Sequence, residues 1–175
     1  MNATPNIAVT AGPGNSEIER LEVLLEQVTD PEIPVLSIRD LGILRDISLD
    51  VGQVTVTITT TYSGCPAMST IKEDIRQTLS AAGYPDVQVK QSLSPAWTTD
   101  WMTPQGREKL REYGIAPPQK SGQGHCAILS PGTAVVCPQC GNENTECISE
   151  FGSTACKALY RCLECAEPFD YFKCL

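Results

Sequence analysis

Cys137-Pro138-Gln139-Cys140-Gly141 and, after 21 intervening residues, Cys162-Leu163-Glu164-Cys165 decide how the last forty or so residues fold. Two residues between thiolates let one tight turn aim both sulfurs at a common point. Gly141 lets backbone amides approach those sulfurs and donate hydrogen bonds to them. Two such knuckles supply four thiolates, the donor set of a closed tetrahedral Zn²⁺ site. Two pairs of buried or disulfide-bonded cysteines are the bland alternative, but a module so short and so poor in apolar residues needs a cross-link to hold together. An iron site is the sharper rival. The plant-type ferredoxin spacing is absent, because five residues separate Cys156 from Cys162 where that pattern has four. The spacing therefore predicts a zinc ribbon over residues 134–175. Cys156 and Cys174 read as small buried hydrophobes on its strands, and Cys126 and Cys147 belong to no motif.

Upstream of the ribbon, residues 116–133 are rich in Pro, Gly, Ser and Gln and read as a linker. Residues 16–115 read as a small α+β domain in the order helix, strand, strand, helix, strand. Ser16 and Glu19 make a capping box, Ile18, Leu21, Leu24, Leu25 and Val28 follow at helical spacing, and Asp30-Pro31 stops the helix. Alternation of Ile47, Leu49 and Val51, then Val54, Val56 and Ile58, around Gly52-Gln53 predicts a β-hairpin. Met68, Ile71, Ile75 and Leu79 mark a second helix, begun by Pro66 and capped by Gly83. Val87 and Val89 predict a third strand, and Thr103-Pro104 opens a helix that Gly114 ends. Residues 1–15, polar and Gly/Pro-rich, read as a disordered tail.

Composition narrows the function. The chain has 175 residues and nine cysteines, with neither a signal-peptide pattern nor a run of eighteen apolar residues. That combination predicts a cytoplasmic protein whose cysteines bind metal or do chemistry. Formal net charge is −8, with −6 over residues 17–116 and −3 over 134–175. Both halves would repel a phosphate backbone, so no nucleic acid is expected as partner, and no membrane either. The lone His125 lies in the linker, which leaves no E-x-x-H pair for a di-iron centre and no Ser/His/Asp triad. Gly122-x-Gly124-x-x-Ala127 follows no strand and is not a dinucleotide fingerprint. These residues do not build a conventional enzyme.

Cys65 is a different kind of cysteine. It precedes Pro66 at the head of a helix, where unpaired amides and the helix dipole are expected to stabilise a thiolate and lower its pKa. Such a sulfur could be a nucleophile or one ligand of a transferable metal or cluster; a plain capping or packing role is the alternative. Asp30 and Glu32 place two carboxylates on the stiff loop DPEIP.

DPEIPVLSIRDLGIL (residues 30–44), the hairpin, TTTYSGCPA (59–67) and SPAWTTDWMTPQGREKL (94–110) resemble the SufT-like iron–sulfur assembly family. With GIAPP, CPQCG, FGSTACKALYRC and FDYFKC added, the chain from about Ile18 to its end resembles the phenylacetic acid degradation D (PaaD) family. The resemblance implies an accessory factor of phenylacetyl-CoA epoxidase that assembles or inserts an iron–sulfur or iron centre. A non-catalytic docking subunit of the same complex is the alternative. It further implies that Cys65, Asp30 and Glu32 handle the iron or cluster transiently and that Cys137, Cys140, Cys162 and Cys165 hold one structural zinc. The implied partners are the oxygenase or reductase subunits and the iron–sulfur assembly machinery. One protein thiolate cannot complete a cluster site, so a homodimer or a small thiol enters as the source of further ligands. The family's proline after the first threonine of the loop before the cysteine is missing here, which lowers the loop's expected stiffness.

Overall fold

The computed structural model describes residues 15–62, 64–118 and 135–173, in two compact units divided between Trp97 and Thr98. The expected disordered tail, His125, Cys126, the glycine pattern at 122–127 and Cys174 lie outside the described residues, apart from Asn15.

The first unit contains α1 (Asn15–Leu25), β1 (Leu44–Asp50), β2 (Gln53–Ile58), α2 (Ala67–Ala81) and β3 (Val87–Gln91). Ser16 lies inside α1 and is not its cap, and the helix stops at Leu25, five residues before Asp30. The chain turns there because the Val28 amide bonds back to the Leu25 carbonyl and Thr29 bridges Ser37 in an extended pairing. The hairpin forms, but its turn falls one residue earlier than Gly52-Gln53, and Val51 is exposed in it instead of extending the strand. Val51 (φ 45°) and Gly52 (φ 87°) make its two-residue turn, the mirror-image backbone that matches the twist of paired strands.

β3 then pairs in parallel with β2, giving the order β1-β2-β3. A parallel neighbour needs a crossover, and α2 supplies it. Met68, Ile71, Ile75 and Leu79 are buried, as their spacing predicts. Gly83 (φ 97°) ends α2, with the Tyr84 amide bonded to the Leu79 carbonyl at 3.0 Å. Val54, Val56 and Ile58 complete the core with Leu21, Leu25 and Ile38.

The second unit differs in extent from the expected ribbon. α3 (Pro104–Glu112) and β4 (Ile115–Ala116) belong to it and not to the first unit. β4 runs parallel to β7 at the edge of a sheet ordered β4-β7-β6-β5, whose other strands are β5 (Thr145–Ser149), β6 (Lys157–Cys162) and β7 (Pro168–Phe172). Ala116 is thus strand and not linker. Its burial beside Tyr171 outweighs the shift in composition that places a boundary there. Thr103 caps α3 by accepting a 2.9 Å hydrogen bond from the Gly106 amide. Arg107 donates to the carbonyls of Thr99 and Pro118, tying the segment before α3 and the segment after β4 to the same side chain.

Candidate functional site

In the ribbon, Cys137, Cys140, Cys162 and Cys165 bring their sulfurs within 4.8 Å of one another. The closest pairs cross between knuckles: Cys140 to Cys162 at 3.5 Å and Cys137 to Cys165 at 3.8 Å. Thiolates on a tetrahedral zinc with bonds of about 2.3 Å stand roughly 3.8 Å apart, so the donor set and its spacing both fit that ion.

Each knuckle is a closed backbone turn. The Gly141 amide bonds to the Cys137 carbonyl at 2.9 Å, and Gly141 adopts φ 74°, which lets the Asn142 amide reach the Cys140 sulfur. At the second knuckle the Cys162 amide bonds to the Glu167 carbonyl. Cys137 and Cys162 are buried in one cluster with Val135, Tyr160, Phe169 and Tyr171, whereas Cys140 and Cys165 face outward. The ligand set is therefore continuous with the ribbon's apolar core.

Four thiols so close cannot ionise independently. Amides of Cys165 and Glu164 draw the Cys162 thiol down to about 7. The Glu167 amide pulls Cys165 the same way, but burial and the neighbouring sulfurs of Cys162, Cys140 and Cys137 outweigh it and push Cys165 up to about 12. A divalent cation removes that conflict by drawing all four to thiolates.

Of the remaining described cysteines, Cys156 is buried, as expected of a small hydrophobe, with its sulfur 3.0 Å from the Thr154 hydroxyl. Cys147 is exposed on β5.

The second cluster lies in the first unit. Cys65 is half-buried just before α2, with Pro66 in the capping position rather than the first helical one. Gly64 (φ 85°) turns the chain into it. Asp30 is buried, and its Oδ1 accepts hydrogen bonds from the amides of Glu32 at 2.7 Å and Ile33 at 3.0 Å. That carboxylate holds the loop in shape and presents Glu32 beside it. Both carboxylates stand near enough to Cys65 for their charges to act on its sulfur. The fold thus lets charges as far as 35 positions away act on Cys65, but among the described residues it gathers only the four ribbon cysteines to within metal-ligating distance of one another.

Their electrostatics correct one expectation. The Cys65 thiol is raised above its ordinary value, not lowered. Burial is the largest cause. The Ala67 amide and the Tyr62 hydroxyl oppose it by hydrogen bonding to the sulfur, while Glu32 and Asp30 raise it further. The helix start does supply an amide, as the sequence predicts, but desolvation and two nearby negative charges outweigh one or two hydrogen bonds.

Two contributors escape a reading of the sequence. Tyr62 sits within the quoted TTTYSGCPA stretch, yet no spacing rule aims a phenol at a sulfur. Asp40 is buried and accepts from the Ser37 amide at 3.1 Å and the Ser37 hydroxyl at 3.0 Å, closing the loop beyond Asp30. The sequence signal for that loop was only its prolines.

Comparison with known proteins agrees with this two-part layout. Residues 123–173 match the family described as "PaaD zinc beta ribbon domain", and residues 18–90 match "Iron-sulfur cluster assembly protein". The chain is 52% identical over 159 residues to an Escherichia coli (strain K12) protein named as the D component of a "Putative 1,2-phenylacetyl-CoA epoxidase", covering 91% of this chain and 94% of that one. It is 37% identical over 94 residues to a Porphyromonas gingivalis "Fe-S protein maturation auxiliary factor", covering 53% of this chain and 86% of the relative. A crystal structure of a domain of unknown function, DUF59, from Bacillus anthracis superposes with a TM-score of 0.50 at 28% identity, covering 53% of this chain and 89% of that one. No helix among the described residues is long and apolar enough to cross a membrane.

Proposed function

The chain belongs to the PaaD family, and on that premise we propose that it is an accessory factor that loads an iron or iron–sulfur centre into the subunits of a phenylacetyl-CoA epoxidase. One observation carries the reading: the half-buried Cys65 thiol at the head of α2 feels the charges of Asp30 and Glu32, which stand on a loop fixed by the Asp30 carboxylate. A soft sulfur with carboxylates in its electrostatic neighbourhood suits transient handling of iron as cargo, with further ligands coming from outside the chain. The name of the Porphyromonas relative, which matches this half of the chain, supports the same reading.

The ribbon takes the other task. On this reading Cys137, Cys140, Cys162 and Cys165 hold one zinc ion that cross-links the two knuckles, with no open coordination position for chemistry. The oxygenase or reductase subunits and the iron–sulfur assembly machinery are the proposed partners.

A second reading, a docking subunit without a loading role, draws on the ribbon's exposed apolar side chains. Val136, Ile148, Phe151 and Leu163 are between 43% and 67% exposed, and Leu163 stands at the tip of the second knuckle. The two readings part on one experiment. The epoxidase subunits are produced with wild-type protein, with Cys65→Ser or with none, and iron and sulfide are measured in each purified subunit. Loading predicts depleted metal in the last two cases and no recovery of activity when the protein is added to metal-poor enzyme without an iron source. Full metal content in its absence, with activity regained on mixing alone, overturns loading and leaves docking.

A further inference from the structure

We propose that the cleft between α2 and the edge strand β3 is a docking site for an extended, acidic segment of a partner protein, which adds to the sheet as a further strand alongside β3. The inference concerns a surface other than the Cys65 junction and does not depend on what that thiol carries.

β3 closes its sheet on one side, so one row of its backbone groups faces no neighbouring strand among the described residues. The Asp86 carbonyl accepts from the Val54 amide at 2.9 Å, and the Ser92 amide donates to the Ile58 carbonyl at 2.8 Å. Alternate residues of a strand turn their N–H and C=O groups the same way. Gln88 and Lys90 therefore also face β2, while Val87, Val89 and Gln91 face away from it and offer hydrogen bonds to a strand laid against them. Beside that edge lies a groove of about 510 Å³, walled by Arg76, Ser80 and Ala81 of α2 and by Pro85 and Val87. Every second side chain of an added strand enters it. The short side chains of Ser80 and Ala81 leave room there for a modest apolar group.

Charge selects the occupant. Lys72 Nζ donates to Gln91 Oε1 at 2.7 Å, which places a cation at the C-terminal end of β3 on the helix side. Lys90 is exposed, and strand alternation puts it on the opposite face from Val89. Neither lysine is in a salt bridge among the described residues, although residues 17–116 carry a net charge of −6. A cation thus meets either face of an added strand at this end, and carboxylates on that strand complete both. A second copy of this chain is a poor fit. Its β3, VQVKQ, has no carboxylate to offer, and a lysine on an edge strand disfavours pairing with its own kind.

The test selects random phage-displayed peptides of about twelve residues, long enough to run past β3, against the full-length protein. The enriched peptides are then synthesised and titrated by fluorescence anisotropy. They should carry at least one carboxylate. Their binding should slow hydrogen exchange at the amides of Val87, Val89 and Gln91 about tenfold or more, and leave those of Gln88 and Lys90, already turned to β2, unchanged. Lys72→Glu combined with Lys90→Glu should weaken the same peptides about tenfold. Val89→Pro removes an outward N–H without touching the bonds to β2 and should weaken them as well. Thermal melts check that each variant folds, and the lysine variant decides the matter if the proline variant does not. Failure to enrich any peptide, or enriched peptides that leave the β3 amides unprotected or ignore the charge reversal, overturns the proposal. Self-association of the wild type that the lysine variant abolishes assigns the edge to a second copy and overturns it too. Either failure leaves the loading reading intact, because that reading is tested at Cys65.

Discussion

Cys162 and Cys65 each accept hydrogen bonds from backbone amides, yet their thiols move in opposite directions. Cys162 falls to about 7 under the amides of Cys165 and Glu164, whereas Cys65 rises because burial and the charges of Glu32 and Asp30 outweigh the Ala67 amide and the Tyr62 hydroxyl. In the ribbon, four sulfurs converge on one another and are joined to an apolar core. At Cys65, one sulfur feels the charges of two carboxylates on a loop held by Asp30. The difference teaches that a cysteine's role here is set by what else converges on it rather than by its local turn. A closed set of four sulfurs suits a permanent ion. A mixed, incomplete set suits a guest, which is the proposed role of Cys65.

The largest expected effect falls on the ribbon. Metal chelation, or Cys140→Ser, should release about one zinc per chain and abolish ordered structure in residues 135–173, because binding of a structural zinc contributes about 10–16 kcal/mol to folding such modules. The first unit should keep its helical circular dichroism. Elemental analysis together with amide hydrogen exchange resolves the two units, and a ribbon that stays protected after chelation would break the contrast at its root.

Next in size is Asp30→Ala. It removes a buried carboxylate that accepts from the amides of Glu32 and Ile33. The half-buried Glu32 amide loses this acceptor and the Ile33 amide keeps only the Asp30 carbonyl at 3.2 Å, so the first unit should lose about 1–2 kcal/mol in urea unfolding while zinc content stays at the wild-type value. A loss of zinc in this variant would show the two sites to be coupled.

The smallest effect is the most specific. Glu32→Gln removes a charge that raises the Cys65 thiol. The sign follows directly: the thiol pKa should fall, the thiolate fraction near neutral pH should grow, and Cys65 should alkylate about two to three times faster. Wild-type Cys65 should itself label more slowly than Cys147, which is exposed on β5. Slower labelling in Glu32→Gln would show that this carboxylate acts through loop structure rather than charge.

The local elements were largely legible because their causes are local. The β1–β2 hairpin follows from strict alternation around a turn, the α2 stripe from helical spacing, and the Gly83 and Thr103 caps from residue types suited to those positions. The four-cysteine set was legible for the same reason, since each knuckle completes its hydrogen bonds within a few residues. Boundaries were less so. α1 ended early because Thr29 pairs with Ser37, and β4 joined the ribbon because Ala116 is buried beside a strand more than fifty positions away.

The sequence by itself determined which cysteines form the closed set, the helices and strands of the first unit apart from their ends, and that two carboxylates stand on a prolyl loop. Tertiary structure alone decided that the charges of this loop act on Cys65 and that the thiol rises rather than falls. The physical reason is range. A turn or a cap is satisfied by neighbours in the chain, whereas desolvation and the charge of a distant carboxylate exist only after the chain has folded back on itself.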